Sequence, residues 1–198
     1  MIKFNDIEDT EPYSTFLKIY NEALVKNQKN IDASIISSFD KTNQEVDSRF
    51  VNIKYLTKNE WTFFSNYNSP KAIQFNQHDQ ISSVFYWDTL NIQIRMRSKI
   101  YKSSKAISDT HFNSREHKKN ALSISSMQSR PINNYADVVK KYNKVLNKKK
   151  LSSRPLYWGG FSFVPYFFEF FEGHESRINK RTSFELNNGI WKKYTLEP

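Results

Sequence analysis

Apolar residues recur at helical spacing in two parts of the chain. Residues 13–26 predict an amphipathic helix near the N-terminus, and residues 135–150 predict a second, Lys-rich helix. Ser69 and Pro70 predict the start of another helix, because serine suits the N-cap and proline the first helical position. The polar segment 103–126 predicts two further short helices.

Shorter apolar runs predict six or seven strands. They cover residues 33–39, 49–56, 61–64, 81–87, 92–101 and 158–171, followed by a hairpin that turns at Asn187-Asn188-Gly189. In the segment 92–101, apolar residues alternate with Gln93, Arg95 and Arg97, so one face of that strand is exposed or functional. The pattern favours a mainly β fold with helices, a decorated barrel, in a single domain over residues 1–198.

Composition narrows the class of protein. The chain has 198 residues and no Cys, which excludes disulfides, thiolate metal sites and a cysteine nucleophile. No apolar run is long enough to cross a membrane, and the first residues lack the pattern of a signal peptide. We therefore expect a cytoplasmic protein with no membrane partner.

The formal net charge of +10 raises the question of an anionic partner. Nucleic acid, anionic lipid and phosphorylated small molecules all attract basic proteins. The lysines of residues 140–150 fit the solvent face of a helix, and Tyr135 and Tyr142 fall on or near its apolar side. A nucleic-acid surface would instead expose aromatic residues among the basic ones. We expect no nucleic-acid partner and rank that function last.

Basic residues within apolar segments are the candidates for chemistry. Arg49 and Lys54 lie in the predicted strand 49–56, and Arg177 and Arg181 follow the aromatic strand. Each alone is typical of an ion pair or of a side chain that reaches solvent. Together they suit an anion such as phosphate. The four histidines lack zinc-ligand spacing, so no metal site is expected.

Short motifs occur in the order and close to the spacing of a known family. They are RFVNIK at 49–54, FFSN at 63–66, SPKA at 69–72, FYWDTL at 85–90 with Gln93 after it, FNSR at 112–115, SMQS at 126–129, PLYWGGF at 155–161, EFFEG at 169–173 and RINKR at 177–181. With these, from about residue 11 to the last residue, the chain resembles pyridoxamine 5'-phosphate oxidase, the FMN enzyme that makes pyridoxal 5'-phosphate. The ordered set carries the resemblance, and no single motif does.

The resemblance implies an FMN-binding split β-barrel that acts as a homodimer, with FMN at the subunit interface. The implied cofactor contacts are Arg49, Ser65, Lys71, Gln93, Gln128, Ser129 and Arg181. Gln128 and Ser129 are implied to come from the second subunit. Lys54 and Arg115 are implied ligands of the substrate phosphate, and Arg177 is the implied catalytic guanidinium that covers the substrate ring.

Several positions depart from the usual residues of that family. Pro70 stands in place of an Arg, Phe64 of a Tyr, Phe171 of a Trp, His111 of a Tyr, Lys119 of a Ser and Asn179 of a His. Phe64 and Phe171 can pack but offer no polar tip. We expect Lys54, Arg115 and Lys119, with His111 nearby, to form an anion site.

Two functions of different class follow from the resemblance. The first is FMN-dependent oxidation of pyridoxamine or pyridoxine 5'-phosphate to pyridoxal 5'-phosphate with dioxygen. The alternative is an FMN-binding split-barrel protein with a lost or different substrate, either a binding module or another flavin oxidoreductase.

Overall fold

One mixed sheet contains all ten strands of the computed structural model, which describes residues 1–148 and 151–198. The strands are β1 (Lys3–Asn5), β2 (Ala33–Asp40), β3 (Glu45–Asn52), β4 (Tyr55–Thr57), β5 (Glu60–Asn66), β6 (Gln80–Trp87), β7 (Ile92–Lys102), β8 (Trp158–Glu172), β9 (Lys180–Asn187) and β10 (Ile190–Leu196). Their order is β1-β4-β5-β8-β7-β6-β2-β3, with β9 added to β8 and β10 added to β9. Only β1 and β4 pair in parallel among the described strands. The predicted mainly β class is confirmed.

Five α-helices decorate the sheet within the described residues. They are α1 (Glu11–Val25), α2 (Pro70–Gln77), α3 (Lys105–Ser114), α4 (His117–Ser125) and α5 (Tyr135–Leu146), with a 3-10 turn at Asp88–Leu90. All five fall where the sequence predicts helices. No helix in the described part of the chain is long and apolar enough to cross a membrane. The predicted Lys-rich helix extends to residue 150, but Lys149 and Lys150 lie outside the described residues.

Helix α1 completes the core against the inner face of the sheet. Phe16 is fully buried, and its ring lies 4.6 Å from that of Trp61, 5.7 Å from Phe85 and 5.6 Å from Trp87, centroid to centroid. Large aromatic side chains contribute most of the buried apolar area in such a core. The high aromatic content of the chain, 16%, therefore supplies much of this core.

The prediction of one strand over residues 49–56 is wrong. The chain leaves β3 at Asn52, passes Ile53 and Lys54 outside any strand, and enters β4 at Tyr55. The Ile53 amide donates to the Asp32 carbonyl at 2.8 Å, and the Lys54 amide donates to the Thr62 carbonyl at 2.8 Å. Consecutive amides thus bond to different parts of the sheet, which ends one strand and starts another. Because β1 and β4 have three residues each, they are too short for periodicity to reveal.

Strand β8 is the longest strand described, with 15 residues, and it pairs with β5, β7 and β9. It pairs with β5 through its first half and with β9 through its second half. Its register with β7 shifts between Arg97 and Ser98, where Pro165 stands opposite Ser98. Proline has no amide hydrogen to donate, so it is tolerated at such an irregularity. Because β8 is long, the candidate residue Ser65, which is paired with its first half, lies far from the candidate residue Arg181, which is paired with its second half.

The β9–β10 hairpin turns at Asn188 and Gly189, as predicted. Both residues have positive φ, 51° and 79°, which is the two-residue turn that Asn-Gly favours. Gly189→Ala should cost about 1 kcal/mol of stability, because only glycine adopts that φ without strain. A Cβ there would meet no atom within 4 Å, so the loss is conformational. Thermal unfolding measures it, and an unchanged melting temperature would contradict the turn assignment.

Candidate active site

A cavity of about 600 Å³ opens where α2, α3 and the β3–β4 junction meet. The candidate residues that line it are Lys54, Ser65, Lys71, His111, Arg115, Lys119 and Gln128. Because β5 leads directly into α2, Ser65 and Lys71 reach the same end of the cavity. The short connection between β5 and α2 therefore brings two of the expected cofactor contacts, Ser65 and Lys71, together.

Lys71 lies at the Ser65 end of this cavity, where the cofactor contacts are expected, and is only 8% exposed. Its Nζ donates to the Ser65 hydroxyl at 3.3 Å and to the Ser69 hydroxyl at 3.5 Å. No carboxylate of the described residues lies within ion-pair distance of it. Burial and the neighbouring charge of Arg49 lower the pKa of Lys71 to about 8. A buried ammonium without a counter-ion is costly and is stabilised by an anionic ligand.

Ser69 fixes the start of α2 in a way the sequence does not reveal. It stands at the N-cap, but its hydroxyl donates to the Asn66 carbonyl at 2.7 Å instead of capping the helix. In the first turn of α2, Pro70 has no amide hydrogen, and the Ala72 and Ile73 amides donate to the Ser69 carbonyl at 3.0 and 3.2 Å. The helix start therefore offers an anion little beyond the Lys71 amide and ammonium, together with the positive end of the helix dipole.

Arg49 lies beside Lys71 but does not line the cavity. Its guanidinium donates to the Ser38 hydroxyl at 2.6 Å and to the Gln74 side-chain oxygen at 3.1 Å, and Asp47 lies 3.6 Å away. Burial lowers the pKa of Arg49. These contacts hold the guanidinium between β2 and α2, where it adds positive potential to the Lys71 end.

Gln128 belongs to the same cluster within one chain, which differs from the expectation that the second subunit supplies it. Its side-chain oxygen accepts from the Ser65 hydroxyl and from the Asn66 amide, both at 3.3 Å. Ser129 has a φ of 65° and faces a separate groove beside α5. The loop after α4 is long enough to fold back onto β5, so the pairing needs no second copy.

The end of the cavity where the substrate phosphate is expected carries fewer unpaired cations than the sequence predicts. Lys54 pairs with Asp32 at 2.7 Å, and Lys119 pairs with Glu116 at 3.0 Å. Arg115 alone among the three expected phosphate ligands has no carboxylate partner in the described residues. Two of the three expected cations therefore already have a carboxylate partner, although the Lys119–Glu116 pair is exposed and weaker than the Lys54–Asp32 pair.

Arg115 is held by an aromatic side chain and a hydroxyl. Its guanidinium carbon lies 4.5 Å from the centroid of the Trp158 ring, and it donates to the Ser123 hydroxyl at 2.9 Å. Burial lowers the pKa of Arg115, as desolvation disfavours its charge. A planar guanidinium fixed in this way can bind a carboxylate or phosphate through two hydrogen bonds.

Stacked rings form the wall between the two ends of the cavity. His111 lies 3.7 Å from Phe64, with the rings 9° from parallel, and Phe64 lies 5.4 Å from Trp158. The Tyr55 hydroxyl lies 2.8 Å from His111 Nδ1. Burial, with the charges of Arg115, Lys54 and Lys3, lowers the pKa of His111 to about 4. His111 is therefore neutral at neutral pH and offers a flat surface to an aromatic ligand.

The remaining predicted cofactor residues lie far from Lys71. Gln93 on β7 is paired with Phe171 on β8, which is paired with Arg181 on β9. Ser65 instead faces Gly159, which is twelve residues before Phe171 on the same strand. At about 3.3 Å per residue, that stretch spans up to about 40 Å. One chain thus divides the predicted site into a Lys71 cluster and an Arg181 cluster.

Arg181 is committed to a buried carboxylate in its own chain. Its Nε and Nη2 donate to Glu169 Oε1 at 3.0 and 2.8 Å, and Arg95 donates to the other oxygen of Glu169. Burial would raise the pKa of Glu169, but the two arginines outweigh it and lower that pKa. Arg177 is exposed in the loop after β8, with a φ of 60°. Both arginines lie at the Arg181 end of the sheet.

Two exposed aromatic side chains lie on the face of the sheet that carries Gln93. Phe50 on β3 is 73% exposed and lines the cavity rim, and Tyr86 on β6, which is paired with Gln93, is 61% exposed. The register places Phe50, Tyr86 and Gln93 on one face of the sheet. Exposed apolar surface of this kind usually marks a contact with another protein.

Sequence reasoning misses two residues at the site. Asp32 and Tyr55 are bonded to Lys54 and His111, but neither stands in a pattern that suggests chemistry. Their contacts form across the sheet, so only the folded chain reveals them. Within the described residues, no three His, Asp or Glu side chains are grouped as metal ligands would be.

The comparisons with known proteins agree with this architecture. Residues 158–198 match the family described as the pyridoxine 5'-phosphate oxidase C-terminal dimerisation region. A curated pyridoxine/pyridoxamine 5'-phosphate oxidase from Herminiimonas arsenicoxydans is 30% identical over 199 residues, which cover 98% of this chain and 94% of the relative.

Two solved structures share the fold. PhzG from Burkholderia lata 383, in complex with tetrahydrophenazine-1-carboxylic acid, superposes with a TM-score of 0.89 at 19% identity over 95% of this chain and 93% of PhzG. An FMN-binding protein from Nostoc punctiforme PCC 73102, related to pyridoxamine 5'-phosphate oxidase, gives a TM-score of 0.77 at 11% identity over 96% of this chain and 99% of its own. The chain therefore has the FMN-binding split-barrel fold and belongs to the pyridoxine/pyridoxamine 5'-phosphate oxidase family.

Proposed function

We propose that this chain is an FMN-dependent oxidase of a phosphorylated B6 vitamer and that it acts as a homodimer. The observation that carries the proposal is Lys71, a buried ammonium with no carboxylate partner among the described residues. It lines a cavity together with hydroxyl and amide groups. Such a group requires an anion, and the FMN phosphate is the anion that this family binds.

The residues present fit FMN at the Lys71 cluster. Lys71, Ser65 and Gln128 would hold the phosphate, and the charge of Arg49 would support them from behind. Pro70 contributes no cation, so Lys71 carries more of the phosphate charge than a Lys–Arg pair would. When bound, FMN supplies the redox chemistry, accepting a hydride equivalent from the substrate and passing electrons to dioxygen.

A second copy of the chain would supply the other half of the site. Gln93 and Arg181 are candidate flavin contacts, and Arg177 is the candidate catalytic residue over the substrate ring. All three lie at the far end of the sheet from Lys71. The exposed Phe50 and Tyr86 face supports a dimer, because a partner would cover it and bring its own Arg181 cluster to the cavity. The matched dimerisation region, residues 158–198, contains Arg177 and Arg181.

The substrate would bind between Arg115 and the ring wall. Arg115 would bind the phosphate through two hydrogen bonds, and Lys54 would add a further donor. Neutral His111, held by Tyr55, would lie flat beside the pyridine ring and exclude water from it. Asn179 accepts from the His174 amide at 3.0 Å, which supports a role in holding the loop that carries Arg177.

The first test is bound flavin and the second is turnover. Purified protein should carry FMN, measured as flavin absorbance in the supernatant after denaturation. Pyridoxamine 5'-phosphate should then yield pyridoxal 5'-phosphate and hydrogen peroxide, and Arg177→Ala should lower kcat more than FMN content. Protein that stays colourless with added FMN would contradict the proposal. Bound flavin without turnover would support FMN as the cofactor and would indicate a substrate of another chemical class.

A planar aromatic carboxylate is the second candidate substrate. PhzG was solved with tetrahydrophenazine-1-carboxylic acid, a ligand of that class. The observation in its favour is that, of the three cations expected to bind the phosphate, Lys54 and Lys119 are paired with carboxylates and Arg115 is not. One guanidinium beside stacked rings suits one carboxylate on a flat molecule.

A further inference from the structure

We infer that Asp32 tunes the charge selectivity of this pocket, because by neutralising Lys54 it weakens the binding of a dianion more than the binding of a monoanion. The inference rests on the proposed function, because it concerns the same cavity. It adds a residue that belongs to no motif in the sequence and does not itself line the cavity.

The Asp32–Lys54 pair is built into the sheet. Asp32 directly precedes β2, and its carbonyl accepts from the Ile53 amide at 2.8 Å. Its carboxylate accepts from Lys54 Nζ at 2.7 Å. The side chain of Asp32 is 14% exposed and that of Lys54 is 35% exposed. Backbone and side-chain contacts together hold the carboxylate beside the ammonium, unlike an ordinary surface pair.

The pair changes what Lys54 can offer to a ligand. An ammonium has three donors, so Lys54 can bond Asp32 and still donate into the cavity. The carboxylate behind it, however, cancels its positive charge at a distance. The amino group of Met1 lies 3.6 Å from the same carboxylate but is exposed, so its contribution is small. Among the described residues, Arg115 and the more exposed Lys3, which also lines the cavity, are then the uncompensated charges near the expected substrate position.

The penalty from Asp32 depends on the charge of the ligand. Coulomb energy is proportional to the product of the charges, so a dianion loses twice the free energy that a monoanion loses. The effect on the dissociation constant of a dianion is therefore the square of the effect on a monoanion. This relation separates charge selection from a general change in pocket shape.

Phenyl phosphate and benzoate test the inference, because they share a ring and differ in charge. At pH 8 the phosphate is a dianion, since its second pKa is about 6, and the carboxylate is a monoanion. Asp32→Asn should lower the dissociation constant of phenyl phosphate about tenfold and that of benzoate about threefold. Lys54→Met added to Asp32→Asn should remove most of the gain for phenyl phosphate. Asp32→Ser repeats the measurement if Asp32→Asn does not fold.

Asp79→Asn is the matched control, because Asp79 pairs with Lys99 in an exposed ion pair outside the cavity lining. It should change both affinities less than about twofold. The inference would be overturned if Asp32→Asn changed the dissociation constants of the two ligands by the same factor, or changed neither.

Bound flavin is measured on the same preparations. If the protein binds flavin but Asp32→Asn leaves the ratio of the two dissociation constants unchanged, the role of Asp32 is rejected and the proposed function stands. If Asp32→Asn changes that ratio as predicted but the protein binds no flavin, the role of Asp32 is supported and the proposed function is rejected.

Discussion

Lys71→Met should have two effects of opposite sign, a weaker affinity for FMN and a more stable cofactor-free protein. Loss of a charged hydrogen bond to the phosphate should cost about 1.5–3 kcal/mol of binding free energy, roughly ten- to hundredfold in Kd. The cofactor-free fold should gain about 1–3 kcal/mol at pH 7, because it no longer buries an unpaired ammonium. Flavin fluorescence titration and urea unfolding measure the two effects.

Lys71 makes the stability of the cofactor-free protein depend on pH. Its folded pKa is lowered to about 8 from 10.5, so between those values the unfolded chain binds more protons than the folded chain. The contribution of Lys71 to stability therefore rises as pH increases from about 8 to 10.5. Lys71→Met should remove that rise. Bound FMN should oppose it also, because a dianion favours the charged form of the lysine.

Lys99→Met is the control for this prediction, since Lys99 is exposed and paired with Asp79. It should change neither the Kd for FMN nor the stability gain above pH 8. An unchanged FMN affinity in Lys71→Met would show that the phosphate binds elsewhere.

Local patterns are predictable from this sequence where the chain decides its structure over a few residues. The Asn188-Gly189 turn, the start of α2 at Pro70 and the two helices within 103–126 depend on neighbours in sequence. The break at Ile53 and Lys54 is not predictable in this way. Its cause is that two successive amides bond to Asp32 and Thr62, and no local pattern encodes such long-range partners.

The same distinction applies to the candidate site. Ser65 and Lys71 come together because one short connection joins β5 to α2. Sequence order does not predict that Lys54 is neutralised by Asp32, 22 residues earlier, or that Gln128 returns to Ser65 of its own chain. It also does not reveal that β8 holds the Arg181 cluster away from Lys71.

We propose that each FMN site combines the Lys71 cluster of one chain with the Arg181 cluster of another. Lys71→Met and Arg181→Ala each damage one cluster. Arg181→Ala leaves Arg95 to balance Glu169, so the fold should tolerate it. Each variant alone should fail to retain FMN when free FMN is held between the wild-type and variant Kd values. A mixed dimer should restore one site, because one of its two interfaces joins an unaltered Lys71 to an unaltered Arg181.

Two differently tagged chains, coexpressed and purified through both tags, provide the measurement. A dimer of one Lys71→Met chain and one Arg181→Ala chain should bind about half as much FMN per chain as the wild type. A dimer of one wild-type chain and one chain with both substitutions should bind almost none, because each of its sites then contains one damaged cluster. The reverse result, no FMN in the first mixed dimer and about half in the second, would place the whole site within one chain and contradict the account.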